Sequence, residues 1–507
     1  MHRKDIRRQV IKQLKKSYPY WRWLTKNEKR TIAQQVLDEA IRDHDFKKPV
    51  EAPTIQLLGL EEQSVRPGIM SIDEMGRFVT SCNDSSIFKI NKPKGHPAIK
   101  DEELKRIDAL IDDRIVNRLL RYDGYSPSMR EFFPAMFLRA ELLKAIKYPE
   151  ISYRKFCGDD KRYKNHKTYS PYIGMESKQN RAFIGLPLVR HLMISHIQLC
   201  QFRAGMSFTQ LVNLMVYILY QAREHGLLGQ GLIHCVDSSE LAVDRQHMLA
   251  SVKINGKLIR IYDDLDCDCG VRRKKRDKSQ YVVGYRMHTL TAIDPATGRS
   301  IPLISLLAAA NHHDSHFLSP LVALGQAIGL DIKLVTADEA YHDNDDAVYS
   351  GSDVHLVTPP SSKVTVPDNV KLEPLRVMFD DACEIPMDYV GIEGRCHEFK
   401  CGAQPGECFR SDQCPQFRQI DFDNGYFQRI LHGSSEVMKA VDIRKNGERP
   451  FNLLKKREGL EHVRVRSQHA VIARTTFTTM ATLLCEIAGT RKTEKNSQRQ
   501  RQLPFAA

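Results

Sequence analysis

The apolar pattern of the chain changes period at about residue 231, and this change most narrows the folds open to it. Before it, apolar residues recur at three- and four-residue spacing, the mark of amphipathic helices. QVIKQLKK and TIAQQVLDEAI fall within residues 1–45, and ELKRIDALIDDRIVNRLL and SFTQLVNLMVYILYQAREHGLL within 102–225. After it come short apolar runs: GLIHCVDSS, YVVGYRMHTLTAID, SIPLISLLAAAN, DIKLVTADEAY and VHLVTP. Such runs, bounded by turn residues, read as strands. The PATG between the second and third, framed by Pro295 and Gly298, predicts an antiparallel hairpin. HHDSHFLSPLVALGQAIGL predicts a helix capped by Asp314. Strands, a helix and strands again imply an α/β fold with a mixed sheet, flanked by helices and preceded by helical N-terminal regions.

Charge divides the chain further. Residues 1–50 hold fourteen Lys and Arg against six Asp and Glu, a net +8. The run 271–278, VRRKKRDK, adds +5 and the tail 488–507 adds +4. These three together exceed the chain's net +14, so the remainder is slightly acidic. Positive charge gathered into a few clusters fits a polyanion, because each phosphate neutralised releases a counterion. The expected organisation is a basic helical region and Pro-rich linker over 1–100, a helical and DNA-binding domain over 101–228, and a sheet domain beginning over 229–350. An insertion over 351–440, a helix-bearing segment over 441–487 and a basic tail over 488–507 follow. No apolar run reaches the roughly 18–20 residues a membrane span needs; the best, Ile301–Ala310, is short and holds Pro302 and Ser305. No membrane partner is expected. Twelve cysteines spread over 507 residues argue against a secreted disulfide scaffold and for a reducing, cytoplasmic compartment. Both tryptophans lie in YPYWRWL beside Arg22 and Lys26, where they could stack on bases or form a small core.

Two aspartates carry the candidate chemistry. Asp237 lies in IHCVDSS and Asp338 in KLVTADEAY, each at or just after an apolar strand. Carboxylates at the ends of neighbouring strands converge, and their repulsion suits a hard divalent cation. Strand-end aspartates also start turns and cap helices, so neither is decisive alone. RKNGERPFNLLK adds Arg444, Glu448 and Lys455 at Arg-x3-Glu-x6-Lys spacing. At about 100° per residue, Lys455 falls about 20° short of two turns from Glu448, on one helix face. Asn446, Gly447 and Pro450 are poor helix-interior residues, and Pro450 is best placed in a first turn. Glu240, Glu458 and Glu461 are rival third carboxylates. His288 and His312 read more readily as structural residues than as ligands.

In these residues the chain resembles the insertion-sequence DDE transposases with an RNase H-like catalytic core, those whose signature is Tyr-x2-Arg-x3-Glu-x6-Lys. Gly284–His288 (GYRMH) is similar to their Gly-Tyr-Lys-x-His segment, with Arg286 at the Lys position. Asn311–Leu321 and ADEAYHD (337–343) also match, and Val441 stands where the signature has Tyr. The resemblance covers about 231–485. It implies that Asp237, Asp338 and Glu448 hold two Mg²⁺ ions, with Mn²⁺ as a substitute, for hydrolysis at element ends and strand transfer into target DNA. Arg444 and Lys455 are implied phosphate contacts, and Arg286 and the run Arg272, Arg273, Lys274, Lys275 and Arg276 are further DNA-binding candidates. The implied partners are double-stranded DNA (terminal inverted repeats and target) and a second copy of the chain in a synaptic homodimer at a prokaryotic nucleoid. A metal-dependent nuclease without strand transfer, and a non-catalytic DNA-binding derivative, remain the other readings.

The insertion holds Cys396, Cys401, Cys408 and Cys414, with Cys383 and His397 nearby. The compact spacing could hold a structural Zn²⁺, although it lacks C-x2-C pairs; the same residues could be reduced thiols. Cys267 and Cys269 sit among Asp263, Asp264, Asp266 and Asp268 in what reads as a flexible acidic loop, whose partner is expected to be the basic run beside it.

Overall fold

The computed structural model describes residues 3–21, 24–42, 63–83, 98–120, 132–158, 174, 177–186, 193–243, 247–254, 257–273, 279–344, 354–358, 370–373, 376–379, 385–403, 416–421, 435–457 and 459–489. The N-terminal periodicity becomes two helices, α1 (Arg3–Ser17) and α2 (Lys26–Arg42). A helical layer follows: α3 (Ile72–Asn83), α4 (Glu102–Ala109), α5 (Asp113–Leu119), α6 (Pro134–Lys147), α7 (Tyr153–Phe156), α8 (Lys178–Ile184), α9 (His196–Gly205) and α10 (Phe208–Glu224). Local chemistry sets their starts. Asp101 caps α4, and Ser195–Gln198 and Ser207–Gln210 form reciprocal capping boxes on α9 and α10.

Strands begin at β1 (Ile233–Val243), then β2 (Met248–Ile254), β3 (Lys257–Tyr262), β4 (Asp268–Arg273), β5 (Ser279–Ile293) and β6 (Ser300–Ala309). β5 and β6 form the expected hairpin; its turn is closed by Asp294, which accepts from the Ala296 amide at 2.9 Å, and by Gly298 at φ +65°. A 3₁₀ turn and α11 (Leu318–Ala327) lead to β7 (Leu334–Thr336) and β8 (His355–Val357). β6, β5 and β1 are antiparallel neighbours, β7 pairs parallel to β1, and β8 parallel to β7. β4 pairs with the first part of β5. The fold is thus a mixed α/β sheet flanked by helices, as the strand–helix–strand pattern required.

The insertion carries a sheet of its own, unsignalled by the sequence. β9 (Val370–Glu373), β10 (Arg376–Phe379), β11 (Met387–Glu393), β12 (Cys396–Cys401) and β13 (Phe417–Asp421) form an antiparallel meander. After it, α12 (Ser435–Arg444), a 3₁₀ turn (Lys445–Glu448), α13 (Arg449–Asn452) and a π turn (Leu453–Arg457) run without a break. β14 (His462–Val463) joins β1, and α14 (Gln468–Ile487) completes the described chain. α14 is long and apolar enough to span a membrane, but 83% of its apolar window is buried. It is the core helix that joins the helical layer to β6, so one apolar core runs from Ile72 to Cys485.

A second core holds the N-terminus. Ile6, Val10 and Leu14 of α1 and Val36, Leu37 and Ala40 of α2 pack on Leu249, Ile259 and Ile261 of β2 and β3. Trp21 belongs to it, 7% exposed, with its indole N–H donating to the Asp263 carbonyl at 3.3 Å. This Trp is therefore core; Trp23 lies outside the described residues.

Two expectations are corrected. The acidic loop is not left free: among the described residues it is tied to α1, α2 and the start of α14, while residues 274–278 of the basic run lie outside the described residues. Asp263 pairs with Lys29 at 2.8 Å and Arg466 at 3.2 Å, Asp268 with Arg7 at 3.3 Å, and Asp266 with Lys15. Asp264 accepts from the Tyr285 hydroxyl and the Ser467 amide, and Asp266 from the Gln468 amide, so the loop also caps α14. Part of the N-terminal positive charge is thereby neutralised inside the fold. Nor does Asp314 cap a helix: His313 takes the cap, accepting from the Ser315 amide, and Asp314 turns inward.

Candidate active site

The first two acids lie on and just beyond neighbouring strands. Cys235 of β1 pairs in parallel with Thr336, the last residue of β7; Asp237 lies two residues on within β1, and Asp338 two residues past the end of β7. Neighbouring strands lie roughly 4.8 Å apart, and the Asp338 charge acts on Asp237. The Ser238 amide donates to Asp237 Oδ1 at 2.7 Å, and the Ala340 amide to Asp338 Oδ1 at 3.0 Å.

The third acid arrives through a close backbone approach. Gly447 packs on the Cys235 side chain so tightly that a Cβ there would lie 2.4 Å from Cys235 Sγ. Ser300 Oγ donates to the Asn446 carbonyl at 2.7 Å, and Arg449 to the Gly298 carbonyl at 3.1 Å, tying the same turn to the β5–β6 hairpin. Glu448 follows directly, on the side of β1 that carries Asp237. In the sequence, Gly447 reads as a helix breaker; its structural reason is this contact, which the backbone meets by tightening into a 3₁₀ turn.

The electrostatics of the aspartates reflect burial and their charged neighbours. Burial pushes the Asp237 carboxyl up to about 6, with Asp338 and Glu448 adding repulsion and the Ser238 amide and Arg444 opposing it. Burial also raises Asp338, followed by the Asp314 charge, against the Ala340 amide and Arg444. Glu448 is solvent-exposed while both aspartates are half-buried. Among the described residues no three His, Cys, Asp or Glu side chains are drawn close enough to enclose one ion. The trio is therefore not drawn together as a ligand set in this structure. Its donors suit Mg²⁺ or Mn²⁺: all are hard oxygens, and their repulsion is only partly offset by Arg444.

Arg444 is half-buried and lowers both aspartates, so it faces the acids. Lys455 lies half-buried within the π turn, and the even α-helical phase that would align it with Glu448 does not hold there. Val441 packs with Leu334 against Val357 of β8. Glu240 is a partner of Arg286, Glu461 is exposed beyond the π turn, and Glu458 lies outside the described residues. Arg286 does not extend to solvent as a DNA contact would: it is bound to Asp314 at 2.7 Å and Glu240 at 3.4 Å. His288 is a buried structural residue, stacked on Phe317 and bonded through Nδ1 to the Tyr341 hydroxyl at 3.1 Å. Arg272 and Arg273 end β4; Lys274, Lys275 and Arg276 lie outside the described residues.

Cys396 and Cys401 occupy the two ends of β12 with unbroken pairing to β13 between them. Five residue steps along an extended strand separate them by roughly 16 Å and put them on opposite faces. The two do not close on one zinc ion. Cys383, Cys408 and Cys414 lie outside the described residues.

Asp314, Ser238 and Tyr341 were missed as site residues. The signal for Asp314 was its place in the NHHD segment, where a capping role explained it equally well. No protein-family model matches the chain, and no curated protein matches it. Among solved structures, it is similar to a piggyBac transposase in a synaptic complex with hairpin DNA, at TM-score 0.32 and 10% identity, covering 80% of this chain and 81% of that one.

Proposed function

We propose that the chain is a DDE-type DNA transposase that cleaves double-stranded DNA at the ends of an element and joins them to target DNA. Two observations support this reading: Asp237 and Asp338 follow the paired residues Cys235 and Thr336 of β1 and β7, and the Gly447–Cys235 contact holds the turn that carries Glu448 against β1. The mixed sheet fits the RNase H-like core that the resemblance implies.

Asp237, Asp338 and Glu448 would hold the cations. Bound there, divalent ions lower the pKa of attacking water and offset charge on the leaving oxygen. The chain's own residues do the rest. The Ser238 and Ala340 amides orient the two aspartates. Arg444, beside both, supplies positive charge for a scissile phosphate, and Lys455 a second contact further along the helix. In the first step a water oxygen bonds to phosphorus and the bond to the 3′ oxygen breaks, freeing a 3′-hydroxyl. In the second, that hydroxyl attacks a target phosphodiester and displaces its 3′ oxygen. A dimer would let two ends act together.

The test uses purified full-length chain, Mg²⁺ and a plasmid carrying the DNA that flanks its gene. Asp237→Asn, Asp338→Asn and Glu448→Gln should each cut cleavage by at least about 10³-fold while retaining DNA binding. Joined products separate a transposase from a nuclease. Full cleavage by any of the three variants would overturn the site.

A further inference from the structure

β1 separates two sets of side chains. Asp237 and Cys235 share one face of the strand. Ser238 and Glu240 share the other, where their cross-strand partners on β5 are His288 and Arg286. Asp314 sits on this second face, 9% exposed. Its Oδ1 accepts from Arg286 Nη1 at 2.7 Å and its Oδ2 from Ser238 Oγ at 3.2 Å. Arg286 Nη2 reaches Glu240 at 3.4 Å, so the guanidinium pins β1 at two alternate residues, 238 through Asp314 and 240 directly.

Ser238 links the two faces. Its hydroxyl is held by Asp314 on one side, and its amide N–H donates to Asp237 Oδ1 on the other. Rotation of the 238 peptide would move that amide away from the carboxylate. We propose that Asp314, fixed by Arg286, is a positioning residue that acts through Ser238 to aim the Asp237 carboxylate at a divalent cation. This rests on the reading of Asp237 as a cation ligand. It also gives Arg286 a role in place of DNA contact: a half-buried guanidinium shared by two acids is organised to hold a strand. Side chains that orient a ligand in this way change metal affinity by about 10–100-fold when removed.

The experiment measures Mn²⁺ binding to the metal-free full chain by calorimetry, alongside the Mg²⁺ dependence of cleavage. Ser238→Ala removes the hydroxyl but keeps the amide, and is too small a change to threaten folding. It should weaken Mn²⁺ binding about 10-fold or more and raise the Mg²⁺ needed for half-maximal cleavage equally, with the rate at saturating Mg²⁺ within a few-fold of the parent. Asp314→Ala should do the same. Asp314→Asn can still accept from Arg286 while its amide donates to the Ser238 hydroxyl, so it should recover most of the affinity. Parent-like Mn²⁺ binding by Ser238→Ala would overturn the proposal, as would an Asp314→Asn variant as weak as Asp314→Ala. Asp237→Asn tests the premise separately: if it binds Mn²⁺ like the parent, the cation site itself is wrong, whatever the other variants do.

Discussion

Substituting Gly447 by alanine should uncouple Glu448 from the two aspartates without unfolding the protein. The added Cβ would lie 2.4 Å from Cys235 Sγ and 3.2 Å from Cys235 Cβ. Comfortable heavy-atom contacts need about 3.5–4.0 Å, so the turn must retreat by roughly 1 Å. Overpacking of this kind costs about 1–3 kcal/mol, while replacing glycine in a helical segment returns up to about 1 kcal/mol. The net loss of stability is then about 0–3 kcal/mol. The loss of rate is larger, because a 1 Å misplacement of a reacting group can cost about 100-fold. Cys235→Ala removes Sγ and leaves only the 3.2 Å contact. The Gly447→Ala/Cys235→Ala double variant should therefore recover most of the activity, an interaction read from a double-mutant cycle. Cleavage rates and thermal unfolding on all four proteins provide the test. Full activity in Gly447→Ala, or no rescue by Cys235→Ala in a folded double variant, would refute the contact as what positions Glu448.

Lys144 gives a pH-dependent prediction. It is buried in α6, its Nζ donating to the carbonyls of Tyr148 and Pro149, and burial together with Arg474 pushes it down to about 6. Between that value and the unfolded value near 10.5, the unfolded chain binds the extra proton, so this group makes stability rise with pH and fall as pH drops toward 6. Lys144→Met should remove up to about 1.4 kcal/mol per pH unit of that slope, measured by urea unfolding from pH 6 to 9; equal slopes would contradict it. Lys29→Ala breaks the Lys29–Asp263 pair, whose side chains are 7% and 10% exposed. Because Arg466 still pairs with Asp263, a cost of about 1–3 kcal/mol should loosen α1 and α2 and expose them to trypsin, whereas parent-like resistance would deny the loop that role. DNA binding should weaken steeply between 50 and 200 mM salt, as phosphate contacts require, and a flat response would remove the polyanion reading.

The sequence disclosed the sheet because its strands are continuous apolar runs with Pro and Gly between them, and it disclosed both aspartates because each follows such a run. The proximity of Asp237 and Asp338 depends on parallel pairing between β1 and β7, residues a hundred positions apart. The helix carrying Glu448 was legible in outline, but its 3₁₀ turn coincides with Gly447 pressing on Cys235, a tertiary contact that α-helical phase cannot express. The insertion's meander was hidden because its strands are short and weakly alternating. Charge counting did not find the acidic loop's partners Arg7, Lys15 and Lys29, because they come from more than two hundred residues away. Arg286 and Asp314 looked like a DNA contact and a helix cap because no local pattern announces an ion pair between β5 and a turn beyond β6.

The most direct measurement is an anomalous-scattering map of the crystallised protein with Mn²⁺. The arrangement of β1, β7 and the Gly447 turn predicts a peak about 2.1–2.2 Å from carboxylate oxygens of both Asp237 and Asp338, with Glu448 turned toward it. A map with no peak between the two aspartates, or with Glu448 directed to a different surface, would contradict the convergence on which the enzymatic reading depends.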